Sequence, residues 1–220
     1  MTFSSEWDSR FRKNKNISVW PWSDLVSYVK RYSNFTGENP TVLELGCGPG
    51  ANIPFFLSIT QNYHAMEGSS TIVKQLVKKF PKLKNNLVVG DFTHEIPFKK
   101  KFDLIYDRAA ITHNDTKSIT NCLENIHKKL NKKGLFIGID WFSTQHSDFV
   151  NGSQVDSFTK NNFKKGQFAN VGNVHFANKS HLQKLFEKFE IIVLEHKVIT
   201  KAIPEKNKFA AWNFVARKIN

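Results

Sequence analysis

The chain has 220 residues, 40% of them hydrophobic and 20 of them phenylalanine, enough apolar material for a sizeable core without a structural metal or disulfides. Its two cysteines, Cys47 and Cys122, have no disulfide or metal-binding spacing, which points to a reducing compartment and hence the cytoplasm. The net charge of +13 raises nucleic acid or an anionic membrane surface as partners, but the excess is spread along the chain. No stretch approaches 18 apolar residues, so no membrane span is expected.

The opening MTFSSEWDSRFRKNKN is polar and charged, without the apolar core of a signal peptide, and reads as loosely ordered. In ISVWPWSDLVSYVKRYSNF, Pro21 suits a helix start, and Trp22, Leu25, Val26, Val29 and Tyr32 form one apolar face. This predicts a helical cap over about 17–35, ended by GENP. A strand from Thr41 to Leu45 then runs into glycines and a helix over roughly 50–59. A strand around Tyr63 to Met66 precedes a helix from Thr71 to Lys79. Strands follow at Leu87 to Val89 and Phe102 to Tyr106, then a helix over 116–130 and a strand from Leu135 to Asp140. Short apolar strands alternating with helical patterns mark a parallel α/β sheet.

Residues 141–176 break that rhythm with a polar, aromatic-studded stretch, read as an insertion or lid. A helix from Asn178 to Lys188 and strands at Phe189 to Leu194 and Trp212 to Ala216 close the pattern, the two strands forming an edge hairpin. No linker divides the chain, so residues 1–220 are read as one domain.

The sharpest local feature is Val42-Leu43-Glu44-Leu45-Gly46-Cys47-Gly48-Pro49-Gly50, a strand that runs into three alternating glycines and then a helix. Such glycines let a ligand lie against bare backbone near a helix N-terminus. A dinucleotide fingerprint needs glycine where Ala51 stands, and no Gly-Lys-Ser/Thr follows to make a phosphate loop. The acid Glu44 instead suits a ligand with a cationic end and no phosphates. Other strand ends carry acids too. Glu67, followed by Gly68, is placed to accept from ribose hydroxyls. Asp91, between Gly90 and Phe92, can accept from an adenine amino group while the aromatic packs the ring. Asp107 closes the fourth strand. Ligands of open α/β sheets bind beyond these carboxyl ends.

The run V-L-E-L-G-C-G-P-G resembles motif I of class I S-adenosylmethionine-dependent methyltransferases, and Gly90-Asp91-Phe92 resembles their adenine-binding motif. The resemblance covers about 41–140. It implies a Rossmann-like, doubly wound, mostly parallel seven-stranded sheet with a reversed last strand in a three-layer α/β/α arrangement. It also implies S-adenosyl-L-methionine as cofactor, with Gly46, Gly48 and Gly50 around its methionine portion, Glu67 on its ribose and Phe92 near its adenine. Glu44, Cys47, Gly68 and Asp107 complete the expected cofactor set.

Asp107-Arg108-Ala109-Ala110-Ile111-Thr112-His113-Asn114 is similar to the corresponding loop of small-molecule methyltransferases, including the thiopurine type. The Asn/Asp-Pro-Pro-Tyr/Phe run of adenine and glutamine amino methylation is absent, as is the paired-cysteine arrangement of cytosine C5 methylation. A small-molecule acceptor is therefore expected, anionic if Arg108 binds it, with methylation at oxygen or nitrogen. RNA methylation and a non-catalytic binding module are the alternatives. His113 is either a general base or a histidine satisfied by its own surroundings. His146 with Asp148 is a second base candidate, and Trp20, Trp141 and His175 are candidate acceptor contacts. Asp140, His146, Asp148 and His175 match no compact ligand motif, so no metal is expected. Oligomeric state is not encoded in these patterns.

Overall fold

The computed structural model describes residues 5–13, 18–33, 35 and 39–219. Helix α1 spans Ser5–Arg12 and α2 spans Ser23–Tyr32, and the alternating part begins at β1, Val42–Leu45. It continues through α3 (Ile53–Leu57), β2 (Tyr63–Glu67), α4 (Ser70–Lys79), β3 (Leu87–Val89), β4 (Phe102–Arg108), α5 (Thr116–Lys129) and β5 (Leu130–Phe142). Three short strands follow, β6 (Ser153–Gln154), β7 (Thr159–Asn161) and β8 (Val174–His175). The chain then closes with α6 (Lys179–Leu185), β9 (Phe189–Lys201) and β10 (Asn207–Lys218).

The main sheet has seven strands in the order β3-β2-β1-β4-β5-β10-β9. Strands β1 to β5 pair in parallel, whereas β10 pairs antiparallel with both β5 and β9. This is the expected doubly wound sheet with its reversed terminal strand. The cause is visible in burial. Every residue of β1 and β2 is buried, because helices cover both faces and leave no solvated side to encode alternation. One apolar cluster on Leu43, Ile105, Phe136 and Phe214 packs α5 and α6; another on Val42, Leu104 and Ile137 packs α2, α3 and α4. Helices α4, α5 and α6 start at side-chain caps: Ser69 accepts from Ile72 N, Asp115 from Ser118 N and Asn178 from His181 N.

Three expectations need correction. Residues expected to be loose include α1, which holds because Trp7 and Phe11, one turn apart, pack on each other and bury against the glycine loop and the 142–176 segment. The parts of the first sixteen residues at 1–4 and 14–16 lie outside the described residues, as do positions 17, 34 and 36–38 of the expected cap and its GENP terminus. Strands β9 and β10 extend well past their apolar centres. Their polar ends are held by the partner strand's backbone and by α2, through Tyr28 on Glu195 and Lys197 on Asp24, so hydropathy alone hides them. The stretch 141–176 is not wholly irregular, since β6, β7 and β8 form a small antiparallel sheet over a core of Phe142, Phe163, Phe168, Val174 and Phe176.

Candidate active site

The carboxyl ends of β1 to β4 converge beneath α1. After β1 the backbone takes left-handed conformations at Gly46 (φ 71°) and Gly48 (φ 48°), where a side chain is strained. A Cβ on Gly46 would sit less than 3.0 Å from Ala110 Cβ, whereas one on Gly48 would meet only Phe11 Cζ at 3.9 Å. Gly46 is thus a packing requirement and Gly48 an open piece of wall.

Acids stand around this loop. Glu44 is buried, accepting from Asn52 Nδ2 at 2.8 Å and from the Tyr63 hydroxyl. Burial pushes its carboxyl up to about 7, against the lowering effect of those donors. Glu67 accepts from Gly48 N and Ser69 N, each at 2.9 Å, which fixes both carboxylate oxygens against the loop; burial raises it too. Asp91 Oδ1 accepts from Thr93 N at 2.9 Å and Thr93 Oγ1 at 2.6 Å, with Phe92 beside it.

A cavity of about 730 Å³ runs from this wall to the loop after β4. Glu44, Gly46, Cys47, Gly48, Glu67, Gly68, Asp91 and Phe92 line one end. Trp7, Trp22, Arg108, His113, Phe142 and Phe168 line the other. The His113 Nδ1 lies 3.1 Å from the Asn173 carbonyl. A carbonyl can only accept, so Nδ1 carries the hydrogen and Nε2 the lone pair. Burial lowers this imidazole to about 4, and Arg10 and Arg108 add to the effect against the opposing Asn173 carbonyl. His113 is therefore neutral at pH 7. Arg108 pairs with Asp140 at 2.8 Å and stacks 3.6 Å over the Trp22 ring.

Six residues expected at the site do not line this cavity. Asp107 is fully buried. It accepts from Ala110 N (2.8 Å), Ile111 N (3.0 Å) and Trp141 Nε1 (3.0 Å), and burial pushes it up to about 7. It shapes the loop that carries His113, rather than facing the cavity, and Trp141 is its fully buried anchor. Gly50 packs on Leu76 and Ile53. Trp20 is 79% exposed. His146 is buried among Phe142, Phe168, Phe176 and Phe209, its Nδ1 accepting from Asp148 N at 3.0 Å. His175 lies between Thr159 and His181, where burial drives it down to about 3. Among the described residues, no group of three or more His, Cys, Asp or Glu side chains could hold a metal, and no helix is long and apolar enough to cross a membrane.

Sequence reading missed Trp7, Arg10, Phe11 and Asn52, all of which line the cavity. The signal for the first three was present: SEWDSRFR has acids in its first turn, arginines in its last and aromatics four apart.

A seven-stranded sheet with its last strand reversed, a glycine turn after β1 and acids at the next two strand ends defines the class I S-adenosylmethionine-dependent methyltransferase fold. Residues 42–134 match the methyltransferase domain, and with this fold they mark the chain as an S-adenosylmethionine-dependent methyltransferase. Solved structures share the fold. A SAM-dependent methyltransferase from Anabaena variabilis is 15% identical with a TM-score of 0.70, over 99% of this chain and 94% of that one. The N-methyltransferase NodS from Bradyrhizobium japonicum, in complex with S-adenosyl-L-homocysteine, is 13% identical with a TM-score of 0.68, over 99% and 100%. The 1,6-didemethyltoxoflavin-N1-methyltransferase of Burkholderia thailandensis is 15% identical with a TM-score of 0.69, over 98% and 87%. No curated protein matches the sequence.

The residues present fit this cofactor. The bare Gly48 wall offers close approach, and Glu44, Glu67 and Asp91 offer carboxylates to a ligand rich in donors. Asp91→Ala should weaken cofactor binding about 10- to 100-fold, the loss of one hydrogen bond to a charged group. Unchanged affinity by calorimetry would remove Asp91 from the site.

Proposed function

We propose that this protein transfers the methyl group of S-adenosylmethionine to an oxygen or nitrogen of a small molecule in the cytoplasm. The observation that carries this reading is the single cavity joining the glycine loop to His113. Its volume falls within the roughly 300–1,000 Å³ of small-molecule sites. No lysine among the described residues lines it, so the basic excess of the chain lies away from the wall, which favours a small acceptor over a nucleic acid.

When bound, the cofactor supplies an electrophilic methyl on a sulfonium sulfur. We assign Glu44 to its cationic amino group, Glu67 to its ribose, and Asp91 with Phe92 to its adenine. His113 Nε2 is the acceptor for a proton leaving the methylated atom. Helix α1 and the 141–176 segment together roof the cavity: Arg10 Nη1 donates to the Ala169 carbonyl at 3.1 Å, and Trp7 lies edge-on to His113 at 4.9 Å. Closing this roof aligns acceptor with donor and excludes water, which is most of what methyl transfer requires.

The test is incubation with methyl-labelled cofactor and fractionated cell extract. Label appearing in a low-molecular-mass product supports the reading; label confined to RNA or protein overturns it. Glu44 adds a pH signature. Its carboxyl rests near 7, so below that pH the apo-protein holds it protonated and a cationic ligand must displace the proton. Cofactor affinity should therefore weaken as pH falls from 8 to 6, and Glu44→Gln should bind more weakly with that dependence removed. An identical pH profile in the variant would show that Glu44 does not face the cofactor's charge.

A further inference from the structure

The cavity wall is divided by sign of charge. Among the described residues, its acids are Glu44, Glu67 and Asp91, all beside the glycine loop or at the ends of β2 and β3. Its cations are Arg10 and Arg108, both close enough to His113 to act on its titration. Behind that end, Asp140 is 4% exposed and does not line the cavity. It pairs with both Arg108 and Lys197, and Lys197 is in turn paired with Asp24 at 2.6 Å. Aromatic rings wall this end, with Trp7 edge-on to His113 and His113 edge-on to Phe142 at 6.0 Å and to Phe168 at 6.5 Å, a surface suited to an aromatic guest.

We infer that the methyl acceptor is a planar aromatic or heteroaromatic molecule that presents a weakly acidic ring O–H or N–H to His113 and binds neutral or as an anion, not as an ammonium ion. This rests on the methyltransferase reading above. An aliphatic amine is protonated at neutral pH. At this end it would meet two guanidinium groups and no carboxylate of the wall, and juxtaposed like charges disfavour binding. Nor is a neutral imidazole held near 4 basic enough to take a proton from an alkylammonium. An acidic ring O–H or N–H needs less. In the transfer, a bond forms from the ring oxygen or nitrogen to the methyl carbon while the methyl–sulfur bond breaks and its electron pair stays on sulfur. The proton of the ring group passes to His113 Nε2 and from there to solvent. Burial keeps His113 neutral, and the positive charges of Arg10 and Arg108, which add to that effect, also favour loss of the ring proton.

The test uses two small probes on the full chain saturated with S-adenosylhomocysteine. One is 4-nitrophenol, whose anion absorbs in the visible, and the other is benzylamine. Bound 4-nitrophenol should titrate at least one pH unit below its free value, a tenfold preference for the anion. Benzylamine should bind at least tenfold more weakly. Arg108→Gln should shrink the shift while leaving S-adenosylhomocysteine affinity within about twofold, and Arg10→Gln, on helix α1 rather than in the sheet, should do the same. Equal binding of the two probes, or an unshifted titration, overturns the inference. So does a matching loss of S-adenosylhomocysteine affinity in both arginine variants, because the arginines would then serve the cofactor. Failure of S-adenosylhomocysteine to bind the wild-type protein is a separate readout, and it overturns the methyltransferase reading together with this inference.

Discussion

Gly46→Ala should lose both fold stability and cofactor binding, whereas Gly48→Ala should lose mainly binding. Both glycines have positive φ, so each alanine carries the left-handed penalty of about 1–2 kcal/mol. At Gly46 the new methyl also lands less than 3.0 Å from Ala110 Cβ. Ala110 has little freedom to yield, because its N–H is held by the buried Asp107. Overpacking of this kind adds about 1–3 kcal/mol, giving a total of roughly 2–5 kcal/mol. At Gly48 the methyl projects into open space beside Phe11, where the cofactor's approach is blocked without a clash in the fold. Thermal unfolding and calorimetry on the two variants separate the effects. Equal loss of stability in both would mean that Gly48 is a packing position as well.

Asp107→Ala should be the most damaging single carboxylate deletion. It orphans three donors at once: two backbone N–H groups of the His113 loop and the Trp141 indole. A buried donor left without a partner loses about 1–3 kcal/mol, so a combined loss of about 3–9 kcal/mol is expected from the three. That is a large part of the stability of an ordinary domain. Asp107→Asn should recover part of this loss, since an amide oxygen still accepts while its NH₂ faces a donor. The measurement is chemical denaturation. Loss of cofactor affinity with unchanged stability would instead return Asp107 to the cofactor set. The sign of its titration fits a structural role: burial has raised it to about 7 although three donors hold it down. The folded protein thus retains a proton that the unfolded chain releases near 4. Asp107 therefore contributes a decline in stability as pH rises between about 4 and 7.

Much of the fold was legible because its parallel strands are buried on both sides. Leu87–Val89 was bounded as observed, and α4 and α5 came within a residue at each end. Hydrophobic periodicity encodes burial, and these elements are defined by burial. Extensions of β9 and β10 were not legible, because an edge hairpin is held by backbone ladders and by charged side chains that resemble a loop in hydropathy. The site divided the same way. Glu44, Gly46, Gly48, Glu67, Asp91 and Phe92 sit at strand-end positions fixed by the local sequence, and they meet on one wall.

The sequence by itself determined the sheet, the glycine turn and, through its motifs, the methyl donor, since each depends on residues close together in the chain. Only the tertiary structure decided which strand-end acids face the cavity. Asp107 and Asp91 both close strands, yet one turns into the core to hold a loop while the other borders the ligand space. It also decided the acceptor end, where Trp7 and Arg10 reach residues more than a hundred positions away. Contacts over that separation are set by packing and charge between elements. No local pattern of hydropathy records them.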